Sequence, residues 1–379
     1  MQNIYSSNML IITMSIQDEL KASISNIEQL KNYTEVSPKE EKQLQKVIER
    51  HPMRITPYYL SLINWDDPND PIKKTAVPSI TELNLLGTYD TSGEAENTKM
   101  PGLQHKYTQT ALVLATNRCA MYCRYCFRKR LVGLQTEEII KRFNNAVKYI
   151  KEHEEINNVL ISGGDPLVLP TKIIEKFLKN LSPISHLDFI RFGTRVPVTF
   201  PDRLLEDDDL VNLLGEYSWE NRRIYVVTQY NHPREVTDKA IKAVDKILHA
   251  GVIVNNQSIL LRGVNNDPEI LAQLQNKLVS IGVNPYYVFQ CRPVKRVKHS
   301  FQVPLYEGYQ IVEDAKRRLN GLSKRFKYIM SHKTGKIEIV GIADDKIFFK
   351  YHQAKNPKNI GRFFERKLSK SAGWLDELN

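Results

Sequence analysis

The chain has 379 residues, with 54 Lys and Arg against 43 Asp and Glu, so its formal net charge at pH 7 is +11. A chain of this length can bury a sizeable core, and no apolar run approaches the roughly 20 residues of a membrane span. Its four cysteines, three of them close together, do not make a disulfide framework. The composition therefore excludes a small disulfide-stabilised domain and a helical membrane protein, and we expect a cytoplasmic protein.

The first fifteen residues carry a short apolar patch, Met9 to Ile12, without the basic start or the small-residue cleavage site of a signal peptide. Met14 is an alternative translation start to Met1, because a helical pattern opens there.

Helical patterns then fill the front of the chain. Apolar residues recur at helical spacing over 16–33, Ser37-Pro38-Lys39-Glu40 has the form of a capping box that opens a helix, and Thr56-Pro57 starts another. Segments 66–71 and 88–102 have the Pro, Gly, Asp and Ser content of loops. We therefore predict a helical N-terminal region, residues 1–103, that packs against the rest of the protein.

From residue 104, β-branched runs alternate with amphipathic ones, which is the pattern of a parallel sheet with crossover helices. The predicted strands are 111–115, 159–162, 189–193, 224–228, 252–261 and 286–290. The predicted helices are 137–153, 172–181, 203–214, 238–249 and 268–281. Six such units predict an α/β fold, a partial (β/α)6 TIM-like barrel over residues 104–304, with its chemistry at the C-terminal ends of the strands.

A small C-terminal α+β segment, residues 305–379, completes the predicted organisation. Its pattern predicts a helix over 306–319, strands over 325–330, 337–340 and 347–351, and a helix over 360–368.

Cys119, Cys123 and Cys126 stand at Cys-x3-Cys-x2-Cys spacing. Three thiolates on one loop can hold three irons of a [4Fe-4S] cluster and leave the fourth iron for a small molecule. A structural zinc site usually needs a second Cys/His pair, which this chain lacks at suitable spacing, and three packed structural cysteines are the other alternative. The spacing, with the aromatic Tyr125 before the third cysteine, resembles the signature of radical S-adenosylmethionine (SAM) enzymes.

Further motifs follow the predicted strands. In Ser162-Gly163-Gly164-Asp165, adjacent glycines let backbone approach a ligand closely, which suits the amino-acid end of SAM, although such a turn is often only a turn. The segments 193–197, 229–233 and 255–258 also follow strands. His232 is explained equally well as a histidine hydrogen-bonded within a turn.

In this order, the cysteine loop 119–130, Ser162 to Leu167, Gly193 to Val198, Asn231-His232-Pro233, Asn256-Gln257-Ser258 and Arg262 to Asn265 resemble the lysine 2,3-aminomutase family of radical SAM enzymes. The resemblance covers roughly residues 104–340. That family also binds pyridoxal phosphate (PLP) and moves an amino group between the α and β carbons of an amino acid.

The resemblance implies a role for each motif. It makes Cys119, Cys123 and Cys126 the cluster ligands and Arg128 a catalytic residue that binds the substrate carboxylate. It makes Lys336, after Gly335, the catalytic lysine that bonds PLP, with Lys333 as the alternative. The implied cofactor contacts are Tyr125, Ser162, Gly163, Gly164, Asp165, Arg195 and Gln257.

Departures from the family bear on the substrate. Lysine-using members place aspartates where this chain has Arg292 and the uncharged segment 329–331. A cation facing a substrate ammonium is unfavourable, so an acidic or neutral amino acid fits better than lysine if Arg292 points inward. The alternative is that Arg292 faces solvent or the PLP phosphate. Thr110 stands where relatives carry an arginine thought to reach the cofactor, and the C-terminal zinc-binding cysteines of some members are absent.

Our first hypothesis is therefore a SAM- and PLP-dependent amino acid 2,3-aminomutase that yields a β-amino acid. A radical SAM enzyme acting on a protein- or RNA-attached group and a non-catalytic iron-sulfur redox sensor are the alternatives. We expect a small-molecule substrate, an electron donor such as flavodoxin or ferredoxin, and a homo-oligomer. We do not expect nucleic acid or a membrane as a partner, because the basic residues accompany no recognition module.

Overall fold

The computed structural model describes residues 16–378, so the predictions about the signal peptide and Met14 lie outside the described residues. Its strands form one sheet in chain order, and β3 to β9 are parallel. The parallel strands are β3 (Thr110–Thr116), β4 (Asn158–Gly163), β5 (Phe189–Gly193), β6 (Arg223–Thr228), β7 (Ile253–Leu260), β8 (Asn284–Gln290) and β9 (Lys327–His332). The six predicted core strands and the predicted partial TIM-like barrel are confirmed.

Antiparallel strands extend the sheet at both ends. They are β1 (Thr98–Met100) and β2 (Leu103–Tyr107) before the parallel strands, and β10 (Gly335–Ala343), β11 (Lys346–Ala354) and β12 (Phe363–Lys367) after them. The C-terminal strand predicted over 325–330 is β9, which pairs with β8 and so becomes a seventh parallel strand.

Six α-helices precede the parallel strands, and nine more lie between them in the described chain. The N-terminal helices are α1 (Ile16–Lys21), α2 (Ile27–Leu30), α3 (Pro38–Arg50), α4 (Pro57–Leu60), α5 (Pro71–Ala76) and α6 (Glu94–Asn97). The others are α7 (Phe143–Glu152), α8 (Thr171–Leu181), α9 (Val196–Thr199), α10 (Asp202–Leu205), α11 (Asp208–Glu216), α12 (Asp238–His249), α13 (Pro268–Ser280), α14 (Lys298–Phe301) and α15 (Leu305–Arg317).

Several predicted boundaries are wrong, for local reasons. The helix expected over 16–33 is broken, because the Asn26 side chain caps a separate α2. The helix expected over 203–214 is likewise split where the Asp207 carboxylate accepts a hydrogen bond from the Leu210 amide at 2.8 Å. The helix expected from 137 begins only at Phe143, and the loop expected over 88–102 contains α6 and β1.

The helix predicted over 360–368 is wrong, because β12 occupies this segment. Phe363 and Phe364 stack on Phe348 and Phe349 of β11, with ring centroids 5.6 and 5.3 Å apart. Such cross-strand aromatic pairs stabilise a sheet and override a helical pattern.

The N-terminal region packs against the sheet. Buried Met53, Ile55 and Tyr59 belong to the same apolar cluster as Val159 of β4 and Ile190 of β5. A second cluster packs α15 against β9, β10 and β11. None of the helices within the described residues is long and apolar enough to cross a membrane.

Candidate active site

A cavity of about 330 Å³ lies at the C-terminal ends of the parallel strands. Every residue that the sequence assigned to a metal, cofactor or substrate lines this one cavity: Cys119, Cys123, Tyr125, Cys126, Arg128, Ser162, Gly163, Gly164, Asp165, Arg195, Gln257, Arg292 and Lys336. The structure thus brings together residues that are up to 217 positions apart, from Cys119 to Lys336.

The three cysteines lie on the loop between β3 and α7, with their side chains partly buried at the cavity wall. Burial raises the pKa of the Cys126 thiol to about 11 and that of Cys119 well above its usual value, so a bound metal would displace their protons. The sulfur atoms of these three described cysteines do not all lie within 4.8 Å of one another, so they do not converge on a single ion. Their spacing fits a cluster, in which each thiolate binds a different iron, better than one shared ion.

A buried charge cluster holds the cysteine loop on its other side. The Arg124 guanidinium donates to both Glu82 carboxylate oxygens, at 2.8 and 2.7 Å, and to the Pro52 carbonyl at 2.9 Å. Lys129 also donates to Glu82, and Arg124 and Glu82 are each only 1% exposed. Although burial alone would raise the pKa of Glu82, the charges of Arg124 and Lys129 lower it to about 2.

Replacing Glu82 with glutamine should lower the free energy of unfolding by roughly 3 to 5 kcal/mol, because two buried cations lose their counter-charge. Anaerobic chemical denaturation of the cluster-loaded enzyme measures this loss. Since the folded pKa of Glu82 lies below its ordinary value of 4.5, the difference between the two proteins should be full above pH 4.5 and shrink as the pH falls toward 2. The control is Glu137→Gln, which removes an exposed ion pair with Lys141 and should lower the free energy of unfolding by at most about 0.5 kcal/mol. An equal loss of stability in the two variants would contradict the role of Glu82 as a buried counter-charge.

Glycine is required where the loop after β4 meets the cysteine loop. The Gly164 amide donates to the Thr116 carbonyl at 2.5 Å, and the Asp165 amide donates to the Arg118 carbonyl at 2.8 Å. A Cβ atom on Gly164 would lie 2.3 Å from the Arg118 oxygen. The glycines therefore permit two backbone segments to pack closely, which the sequence pattern does not reveal, while the same loop still borders the cavity.

Asp165 and Arg195 connect the next two loops to the cysteines. The buried Asp165 carboxylate accepts hydrogen bonds from the Thr194 hydroxyl at 2.6 Å and the Arg195 amide at 2.7 Å. The Arg195 guanidinium donates to Cys123 Sγ at 2.8 Å and to the Glu235 carboxylate at 2.7 Å. Asp165 thus positions the loop that carries Arg195, and Arg195 lies directly against the Cys123 sulfur.

Two further polar side chains border the sulfur end of the cavity. The Tyr125 hydroxyl accepts a hydrogen bond from the Asn231 amide at 2.6 Å and donates to Gln229 at 3.2 Å, so its position is fixed. Gln257 on β7 is partly buried and borders the cavity.

The cavity wall also carries Arg292 and Arg128. The Arg292 guanidinium lies 4.1 Å from the Phe127 ring centroid and donates to the Ser92 and Ser331 hydroxyls at 2.8 and 2.9 Å. It therefore points into the cavity and not to bulk solvent. Arg128 donates to the Glu94 carboxylate at 3.2 Å and to the Gly163 carbonyl at 3.3 Å.

Lys336 lies at the start of β10 with its amine 5.0 Å from the Tyr287 ring centroid and 5.8 Å from that of Tyr107. Burial, together with the charges of Arg191, Arg292 and Lys106, lowers the pKa of this amine to about 7. Lys333, the alternative, is 60% exposed and pairs with Asp376 at 3.4 Å. Of these two lysines, it is Lys336 that reaches the cavity.

Sequence reasoning missed several residues of the site. Glu94 binds both Arg128 and Arg130, and although burial alone would raise its pKa, those two charges lower it. Lys106 on β2 lines the cavity together with Thr110, and burial and the Arg292 charge lower the pKa of Lys106 to about 7. Arg191 on β5 also lines the cavity. The sequence did contain a signal for it, because Arg191 is the one charged residue among the apolar residues of that predicted parallel strand.

Comparison with known proteins identifies the family of this chain. Residues 113–274 match the Radical SAM superfamily. A putative L-lysine 2,3-aminomutase of Aquifex aeolicus is 43% identical over 349 residues, which is 92% of this chain and 93% of the relative. The L-lysine 2,3-aminomutase of Clostridium subterminale is 37% identical, covering 80% of this chain and 72% of the relative. The glutamate 2,3-aminomutase of Clostridioides difficile is 36% identical, covering 80% and 71%.

These relatives are isomerases, and their similarity implies a [4Fe-4S] cluster, SAM and PLP as cofactors and 2,3-aminomutase chemistry. The hypothesis of a non-catalytic redox sensor is therefore set aside. The identity extends over most of both chains, and the predicted resemblance is confirmed: the protein belongs to the lysine 2,3-aminomutase family of radical SAM enzymes.

Proposed function

We propose that the protein is a PLP-dependent 2,3-aminomutase whose substrate is an acidic amino acid such as glutamate. The observation that carries this proposal is the inward position of Arg292, which Ser92 and Ser331 hold at the cavity wall. A substrate ammonium about 4 Å from this guanidinium would be repelled by about 4 kcal/mol at an effective dielectric constant of 20. A side-chain carboxylate would be attracted by a similar amount.

The charge balance of the cavity supports the same proposal. Its lining includes four arginines, Arg128, Arg191, Arg195 and Arg292, and two lysines with pKa values of about 7, Lys106 and Lys336, against two carboxylates, Glu94 and Asp165. Glu94 is already bound to Arg128 and Arg130, and Asp165 accepts hydrogen bonds from the Thr194–Arg195 loop. The remaining positive charge suits a phosphate together with two substrate carboxylates.

The cavity residues fit the three cofactors that the family implies: the iron-sulfur cluster, SAM and PLP. Cys119, Cys123 and Cys126 would hold the cluster, and Tyr125, Gln257 and the 162–165 loop would contact SAM. Lys336 would bond PLP, and its pKa of about 7 leaves a substantial fraction of the amine unprotonated and nucleophilic at neutral pH. When bound, these groups supply the radical that removes a hydrogen and the ring that carries the amino group during its migration.

The side chains of the cavity would align the substrate for this chemistry. Arg128, held by Glu94, would bind the α-carboxylate, while Arg292 would bind the side-chain carboxylate, so that the β carbon is fixed between them. Apolar Phe127, Leu160, Val227 and Ile259 border the same cavity and reduce the access of water to the reacting atoms.

We further propose an electron donor such as flavodoxin or ferredoxin, a homo-oligomeric assembly and a cytoplasmic location. An iron-sulfur cluster with an open iron needs a low-potential reductant and is sensitive to oxygen, and four cysteines that make no disulfide framework favour a reducing compartment.

Anaerobic reconstitution with iron, sulfide, SAM and PLP, followed by incubation with each of the twenty amino acids and a reductant, tests the proposal. Mass spectrometry of the products should show a β-amino acid from glutamate and little or none from lysine. Conversion of lysine alone would contradict the substrate assignment but leave the aminomutase activity intact.

A further inference from the structure

A second group of metal-binding side chains lies outside the cavity. His105 on β2, His153 at the C-terminal end of α7 and Glu155 converge, with their ligand atoms all within 4.8 Å of one another. Around a tetrahedral Zn²⁺ with bonds of about 2.0 to 2.1 Å, such atoms lie about 3.3 Å apart. Side-chain rotation can supply the difference, because His153 and Glu155 are 35% and 43% exposed.

The hydrogen bonds of His105 determine which of its ring nitrogens carries the proton. Its Nε2 lies 3.0 Å from the Thr108 carbonyl oxygen, which can only accept, so Nε2 carries the proton. The lone pair of Nδ1 then accepts a hydrogen bond from the Tyr149 hydroxyl at 3.0 Å, and a metal ion at this nitrogen would take the place of that hydroxyl. A histidine that donates one ring N–H to a carbonyl and presents the other nitrogen is the usual form of a metal ligand.

The other two residues complete a mixed nitrogen and oxygen donor set. His153 Nδ1 lies 2.9 Å from a Glu155 carboxylate oxygen, and the His153 ring lies 4.0 Å from that of Tyr149. Two imidazoles and one carboxylate, with water in a fourth position, are ligands that Zn²⁺ accepts in proteins. In the absence of a metal, hydrogen bonds to the Tyr149 hydroxyl and to Glu155 occupy His105 and His153, and a bound ion would replace both.

We propose that His105, His153 and Glu155 form a Zn²⁺ site that is separate from the iron-sulfur site. The ion would link the hairpin of β2 and β3 to the end of α7. His105 directly precedes Lys106, which lines the cavity, so the site would also brace a strand that reaches the cavity.

Zinc binding to the cluster-loaded enzyme tests this proposal, because the cluster then occupies the three cysteines. One molar equivalent of Zn²⁺ should bind, as measured by calorimetry, and zinc-edge X-ray absorption should show nitrogen and oxygen ligands without sulfur. His153→Asn and Glu155→Gln should each weaken the affinity at least tenfold. The matched control is His249→Asn. His249 is an exposed histidine that pairs with Asp245 outside the described three-residue group, so the zinc affinity of this variant should equal that of the wild type.

Zinc binding of equal strength in wild type, His153→Asn and Glu155→Gln would overturn the proposal, as would the absence of zinc binding to the wild type or zinc bound by sulfur. Circular dichroism identifies a variant that fails to fold, and Glu155→Gln, at an exposed position, then decides the question alone. These outcomes do not depend on aminomutase activity.

Discussion

Replacing Lys336 with alanine should abolish the visible absorbance of protein-bound PLP and lower turnover by at least about 10³-fold. The amine of Lys336 reaches the cavity, and its pKa of about 7 makes it nucleophilic near neutral pH. Loss of the amine removes the one bond that would hold PLP covalently before the substrate arrives. Absorbance spectroscopy of the reconstituted protein and the rate of β-amino acid formation measure the two effects.

The pH dependence of cofactor binding provides an independent check on Lys336. Because burial lowers the pKa of the amine from 10.5 to about 7, the rate at which PLP bonds to the cofactor-free protein should rise as the pH passes through 7 and then level off. Lys333→Ala is the matched control, because its exposed ammonium pairs with Asp376, and it should retain both absorbance and activity. Loss of the absorbance in Lys333→Ala, with retention in Lys336→Ala, would reverse the assignment.

Replacing Arg292 with glutamine should lower kcat/KM for an acidic substrate by about 10²-fold or more, because a desolvated carboxylate loses its partner. Glutamine removes the charge but keeps a polar side chain within reach of Ser92 and Ser331. Arg292→Asp should go further and favour lysine over glutamate, since its carboxylate would attract a substrate ammonium. Competition between the two amino acids, followed by mass spectrometry, measures the change in preference.

Two outcomes separate the roles considered for Arg292. If it binds the PLP phosphate, Arg292→Gln should weaken PLP binding and slow every substrate equally. If it binds the substrate side chain, PLP binding should persist and the loss should be confined to acidic substrates. Arg366→Gln, an exposed arginine on β12, is the control and should change neither.

Local patterns were sufficient to predict the parallel core, because strands buried on both faces are continuous apolar runs that alternate with amphipathic helices. The pairing of β9 with β8 depends on how the chain folds back, and the local pattern of 325–330 carries no information about it. The residues 363–367 form a strand because Phe363 and Phe364 meet rings on β11, a contact between separate segments. The division of the chain at residues 103 and 304 stays a prediction.

The candidate site was predictable where a motif carries the chemistry, as in the cysteine loop and the Gly335-Lys336 pair at the start of β10. The supporting charges were not, because Glu82, Glu94, Lys106 and Arg191 are ordinary residue types in segments without a motif. Glu82 finds Arg124 across 42 positions of sequence, and only the folded chain brings them together. The functional roles assigned to the cavity residues remain predictions that the variants above test.

Isotope transfer tests the central claim most directly. This claim is that an acidic amino acid binds in the same cavity in which the SAM-derived radical forms. Glutamate carrying deuterium at its β carbon is supplied to the anaerobically reconstituted enzyme, and 5'-deoxyadenosine and the product are analysed by mass spectrometry. We predict that deuterium appears in 5'-deoxyadenosine and in a β-amino acid product. SAM cleavage that leaves 5'-deoxyadenosine free of deuterium, with glutamate unchanged, would contradict the account.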